Sequence, residues 1–130
     1  MSTNGDSPGY GVILADPPWD YQNFGARKHG SPKTHYHLTE SVDIAKVPVS
    51  KWAAKDCILL LWATWPKLNE ALEVMEAWGF DYITGIPWIK VSPSSGNIRT
   101  GIGFWTQSTS EMVLIGRRGE GQRPKRLWSP

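Results

Sequence analysis

Val12-Ile13-Leu14-Ala15 runs without a spacer into Asp16-Pro17-Pro18-Trp19, and no other junction in the chain restricts its fold as much. A short continuous apolar run is the mark of a strand buried on both faces. Two successive prolines cannot donate to a sheet ladder, so the strand stops there and the chain leaves the sheet through a corner of fixed φ. In open α/β sheets ligands bind just outside the carboxyl ends of strands, which is where Asp16 falls. The corner presents a carboxylate, backbone carbonyls that have lost their ladder partners, and an indole. Such a set suits an exocyclic amino group on a flat heteroaromatic base, because the carboxylate and one carbonyl can accept both amine hydrogens while the indole stacks. Taken alone, an Asp-Pro turn after a strand is common and is explained by structure ahead of function.

Much of the chain is organised around similar apolar runs. Residues 1–11 are polar, with Gly5, Pro8 and Gly11, and read as a flexible lead-in. Residues 20–38 form a long polar stretch with Arg27, Lys28 and Lys33, and a loop of that length in a compact domain usually has a function. Thr39-Glu40-Ser41 can cap a short helix to about Lys46, which Pro48 stops, and a second helical turn follows around residues 50–55. Residues 57–63 are a second apolar run, again read as a strand buried on two faces. Pro66 opens the clearest helix, with Leu68, Ala71, Leu72, Met75 and Trp78 on one face and Lys67, Asn69, Glu70, Glu73 and Glu76 on the other. Gly79 is expected to close it as a left-handed cap with Phe80 packing back. Residues 82–91 read as a third strand, at an edge or bulged because of Pro87. A second long loop, 92–109, leads to a fourth strand at 112–115 and a basic tail. This is an α/β rhythm, and the two-faced burial read for the central strands leads to the expectation that it is part of a larger sheet.

Composition narrows the function classes. One domain fits in 130 residues, and 40% hydrophobic content excludes a disordered chain. A net charge of +2 is too small to indicate nucleic acid by itself. The longest apolar run is far short of the ~20 residues of a membrane helix, the polar N-terminus matches no signal peptide, and one cysteine excludes an internal disulfide. A cytoplasmic protein with no membrane partner is expected. His29, His35 and His37 have no cysteine or carboxylate spaced with them, so solvent or phosphate contact is preferred to metal. The anomaly is eight tryptophans. Trp52, Trp62, Trp65 and Trp78 are read as core or helix-packing rings, with Trp88 and Trp105 left open.

If the flat base is adenine, the corner has a chemical consequence. The lone pair of the adenine amine is delocalised into the ring. Two acceptors holding its hydrogens out of plane favour a tetrahedral nitrogen that can attack an electrophilic methyl in line. A carboxylate beside the nitrogen stabilises the charge that develops there.

Ile13-Leu14-Ala15-Asp16-Pro17-Pro18-Trp19 resembles the signature of the DPPW-type N6-adenine methyltransferases, S-adenosylmethionine-dependent enzymes of DNA and RNA. His35-Tyr36 followed by Thr39 is similar to the family's loop with the tyrosine that flanks the target adenine. The segments 59–64, 77–80 and 88–90 resemble its next strand, helix end and following strand. Arg99-Thr100-Gly101 through Trp105, then residues 111–119, resemble its second active-site loop and outgoing strand. The resemblance covers about residues 12–119. It implies a Rossmann-like methyltransferase fold, circularly permuted and incomplete, with the target-base half of the sheet at 12–119 between the lead-in and a basic tail at 120–130.

It further implies that Asp16, Pro17, Pro18 and Trp19 are catalytic and that Tyr36, Arg99, Thr100 and Trp105 contact the substrate. Asp16 and Lys90 would meet S-adenosylmethionine. Trp19 and Tyr36 would sandwich a flipped-out base, with loops 20–38 and 92–110 as the gate. The nucleic acid is expected to be DNA, with RNA second. The family's donor-binding half has no counterpart before Pro130, and Gly101-x-Gly103 and Gly119-x-Gly121 are too short for a dinucleotide fingerprint. The chain is therefore expected to need a missing C-terminal segment or a protein partner and not to methylate alone. The rival reading is a non-catalytic nucleic-acid-binding subunit or an inactive remnant.

Overall fold

The computed structural model describes residues 9–19, 41–101 and 105–120. In chain order these form β1 (Tyr10–Ala15), α1 (Ser41–Ala45), α2 (Val49–Trp52), β2 (Ala53–Ala63), α3 (Leu68–Ala77), β3 (Asp81–Ile89) and β4 (Ser110–Arg118). The strands make one sheet in the order β1-β2-β4-β3. β1 is parallel to β2, while β4 runs antiparallel to both β2 and β3. The carboxyl ends of β1, β2 and β3 thus share one rim with the start of β4. The fold is mixed α/β, as the rhythm of the sequence predicts.

One face of the sheet carries the core. Ala71, Val74, Met75 and Trp78 of the α3 segment pack on Cys57, Leu59, Leu61 and Ala63 of β2 and on Met112 and Leu114 of β4. The register pairs Leu59 with Gly116 and Leu61 with Leu114, so these residues share a face. Gly116 lets the helix come close: a Cβ there would stand 2.8 Å from Met75 Sδ. The helix ends as expected. Gly79 has φ 85°, its N–H donates to Glu76 O at 2.9 Å, and Phe80 N–H donates to Met75 O at 3.1 Å. That two-bond cap drops Phe80 into the core at 2% exposure. The buried indole of Trp78 donates to Ile44 O at 3.1 Å and ties α1 to α3.

The opposite face overturns one expectation. Burial on β2 alternates, with Cys57, Leu59, Leu61 and Ala63 buried and Ile58, Leu60 and Trp62 only partly so. On β1, Val12 is 62% and Leu14 65% exposed. A continuous apolar run arises because the second face is apolar, although it is left open here. Tyr10 and Gly11, read as lead-in, already pair as the start of β1. β3 is exposed throughout at the sheet edge, where Pro87 interrupts no central ladder, and its register shift falls between Tyr82 and Thr84.

Trp52 and Trp65 are surface rings, not core. Trp52 ends a single-turn helix, and Trp65 sits in a 3-10 turn (Trp65–Lys67) with its Nε1 donating to Ser110 Oγ at 3.2 Å. Trp62 instead meets Trp88 edge to face, ring centroids 5.1 Å apart. The stretch after β3 is more ordered than a plain loop. Val91 bridges Ile98, Gly101 bridges Ser108, and Ser92 N–H donates to Asn97 O at 2.8 Å. Among the described residues no helix is long and apolar enough to cross a membrane.

Candidate active site

β1 ends at Ala15, paired with Leu61 of β2, and Asp16 follows directly with an exposed side chain. Trp19 N–H donates to Pro17 O at 2.9 Å, closing a three-residue turn over Pro18. The Trp19 indole folds inward and its Nε1 donates to Trp62 O at 2.9 Å. A buried indole N–H needs such a partner, and this one braces the corner against the last residues of β2. The Asp16 carboxylate is left at the sheet mouth in solvent. The Pro17 carbonyl, which accepts one bond, keeps a second lone pair.

That geometry corrects the expectation for Trp19. At 4% exposure the ring has no face for a base to stack on; it is the wedge that holds the corner. The sequence carried the signal that an indole follows a rigid turn but not which way the ring points. The other half of the expected sandwich, Tyr36, lies outside the described residues, as do loop 20–38 and the three histidines.

Further along the rim, Lys90 follows β3 and its Nζ lies 3.1 Å from Glu111 Oε1 of β4. Both side chains are partly exposed, so the pair contributes at most about 1 kcal/mol and is easily exchanged for another partner. Sequence reasoning missed Glu111, because nothing local announces an ion pair made by strand register. Thr64, the residue after β2, completes the rim; its hydroxyl is buried and has no hydrogen-bond partner among the described residues. Arg99 and Thr100 are exposed, with Arg99 N–H donating to Lys90 O at 2.8 Å. Trp105 is fully exposed, and Gly101 bridges Ser108 beside it. The rim thus gathers Asp16, Thr64, Lys90 and Glu111, with Arg99 beside them, whereas Trp19 belongs to the packing beneath. Among the described residues no three His, Cys, Asp or Glu side chains are grouped to hold a metal.

The MT-A70 family model matches residues 10–127 of the chain. Among similar proteins, the Type II methyltransferase M.MunI of Mycoplasma sp is 29% identical over 133 residues, which is 89% of this chain and 54% of that protein. A probable N(6)-adenosine-methyltransferase MT-A70-like protein of Oryza sativa subsp. japonica is 30% identical over 111 residues, 85% of this chain and 14% of its own length. The human N(6)-adenosine-methyltransferase catalytic subunit METTL3 is 28% identical over 114 residues, 87% of this chain and 18% of its own length. The chain therefore spans about half of the first of these relatives and under a fifth of the other two.

Proposed function

The chain belongs to the MT-A70 family, and from that premise we propose that it forms the base-holding half of an adenine N6-methyltransferase. The substrate is nucleic acid, DNA ahead of RNA. A further segment or a partner subunit completes the enzyme, in keeping with a chain that spans 54% or less of the relatives described above. One observation carries the reading: an exposed carboxylate directly after a parallel strand, on a corner held rigid by two prolines and the buried Trp19.

Asp16 accepts one hydrogen of the adenine amine, and the free lone pair of the Pro17 carbonyl accepts the other. Holding both draws the nitrogen toward a tetrahedral geometry and frees its lone pair. As the nitrogen gains its fourth bond it becomes cationic, and the adjacent Asp16 carboxylate stabilises that charge more than it stabilises the neutral ground state. The surplus proton leaves through Asp16 to water, to which the side chain is open. S-adenosylmethionine, when bound, would supply an electrophilic methyl on a sulfonium, its sulfur–methyl bond breaking to leave a neutral thioether as the nitrogen–carbon bond forms. The rim residues fit its charged end: Asp16 would face the sulfonium, and Lys90, once it exchanges Glu111 for another anion, would face its carboxylate. Arg99, Thr100 and Trp105 line the nucleic-acid approach on this reading, and Tyr36 would flank the base. Trp19 acts as a positioning residue.

The test is the Asp16→Ala substitution in the chain completed by its missing portion. Methyl transfer is expected to fall by about 10²-fold or more, with the fold unchanged because Asp16 is exposed. Retained turnover would overturn the assignment. The second reading, a non-catalytic binding subunit, draws on the same short span and predicts oligonucleotide binding by the chain and its partner with no uptake of labelled S-adenosylmethionine at this site.

A further inference from the structure

Thr64 Oγ1 stands out as a buried side-chain oxygen with no partner among the described residues. A threonine before a helical turn usually directs its hydroxyl onto a free N–H of that turn. Thr64 precedes the 3-10 turn and its carbonyl accepts Lys67 N–H at 2.9 Å, yet the side chain makes no capping bond. The hydroxyl is withheld from its ordinary partner and shut away from water, an arrangement that costs stability.

Its location gives that cost a use. The backbone at Thr64 is extended, φ −113° and ψ 154°, so strand alternation continues past Ala63. Thr64 is thereby placed on the sheet face of Trp62, and the Ala63–Met112 pair sets it next to Glu111. Two residues upstream, the Trp62 carbonyl takes the Trp19 indole N–H and fastens the Asp16 corner to this same stretch. Asp16 and Thr64 thus follow β1 and β2 at the rim where Glu111 lies near the start of β4, on strands about 4.8 Å apart.

We infer that Thr64 is a base-positioning residue whose hydroxyl donates to a ring nitrogen of the adenine that Asp16 and Pro17 hold. The inference rests on the base-holding reading above. Adenine places an acceptor nitrogen beside its donor amine, and a hydroxyl donor beside a carboxylate acceptor is the complement of that pair. Guanine carries a carbonyl oxygen in place of the amine and would set acceptor against acceptor at Asp16. A hydroxyl already stripped of water gains more from a ligand acceptor than one still competing with solvent. Thr64 as a residue stays partly exposed, and a change between staggered χ1 wells is the movement by which its hydroxyl would meet the base.

The experiment is a titration of the intact chain with adenosine monophosphate and its 1-deaza and 7-deaza analogues, using wild type, Thr64→Val, Thr64→Ser and Asp16→Ala. Thr64→Val is expected to lose about tenfold in affinity, the scale of one neutral hydrogen bond, while its melting temperature rises because an unpaired hydroxyl is gone. Thr64→Ser is expected to bind as wild type does. One deaza analogue should bind wild type about tenfold more weakly than adenosine monophosphate does, with no such difference in Thr64→Val. Unchanged affinity in Thr64→Val, or a melting temperature that falls with it, would overturn the inference. If Asp16→Ala loses binding while Thr64→Val keeps it, the base-holding reading stands and the Thr64 assignment fails. If wild type binds no adenine nucleotide, both fail.

Discussion

Trp19 spends its indole on holding Pro17 and Asp16 in place, with its N–H on Trp62 O and its ring in the core. Trp19→Phe keeps most of the packing and loses that bond, which should cost about 1 kcal/mol in urea denaturation. Trp19→Ala should cost about 3–5 kcal/mol by leaving a cavity under the corner. Both variants are expected to impair any activity that depends on Asp16, in the order of their stability loss. Cys57 is the other informative residue. Burial pushes its thiol above the ordinary range, with the Arg118 guanidinium pulling the other way. The folded state therefore holds the thiol proton more tightly than the unfolded chain does. That contribution is whole below the unfolded thiol's pKa of about 8.5 and is lost as pH rises through the folded value. Urea midpoints from pH 7 to 10 should fall more steeply for wild type than for Cys57→Ala. At this scale the exposed position of Asp16 at the end of β1 was legible, because the prolines after it fix where the strand stops. Trp19 was not: an indole that stacks on a ligand and one that plugs a core look alike in a string of letters.

α3 shows what an element can reveal of itself. Its apolar spacing, its left-handed Gly79 and the return of Phe80 are all local, and all are present as predicted. Only Val74 escaped the face assignment, since a helix packed on a flat sheet buries a wider stripe than a single narrow seam. Gly79→Ala should cost about 1–2 kcal/mol, the penalty of a Cβ in left-handed backbone, read as a lower urea midpoint. Gly116→Val is expected to cost about 1–3 kcal/mol, because Met75 must leave its seat for the helix to stay down. The strands were harder to read. Whether an apolar run is covered once or twice depends on what other elements do, and Leu14 looks the same in either case. The Lys90–Glu111 pair likewise exists only once β3 and β4 have chosen a register.

The molecule as a whole has its helix α3 on one side of the sheet and Val12, Leu14, Ile86 and Trp88 about half or more exposed on the other. Apolar surface of this kind should bind the dye ANS, and replacing Leu14 with Gln and Val12 with Thr should lower that signal with little change in stability. An unchanged signal would mean that this face is not the source. The strand order has a separate consequence for how the chain is made. β4 is the last of the four described strands in sequence, yet it lies between β2 and β3. During synthesis the ribosome delivers β3 before the neighbour it needs has been translated. Until residues 110–118 emerge, β2 lacks its second partner and β3 its first, so assembly of the sheet must wait for its late-arriving inner strand.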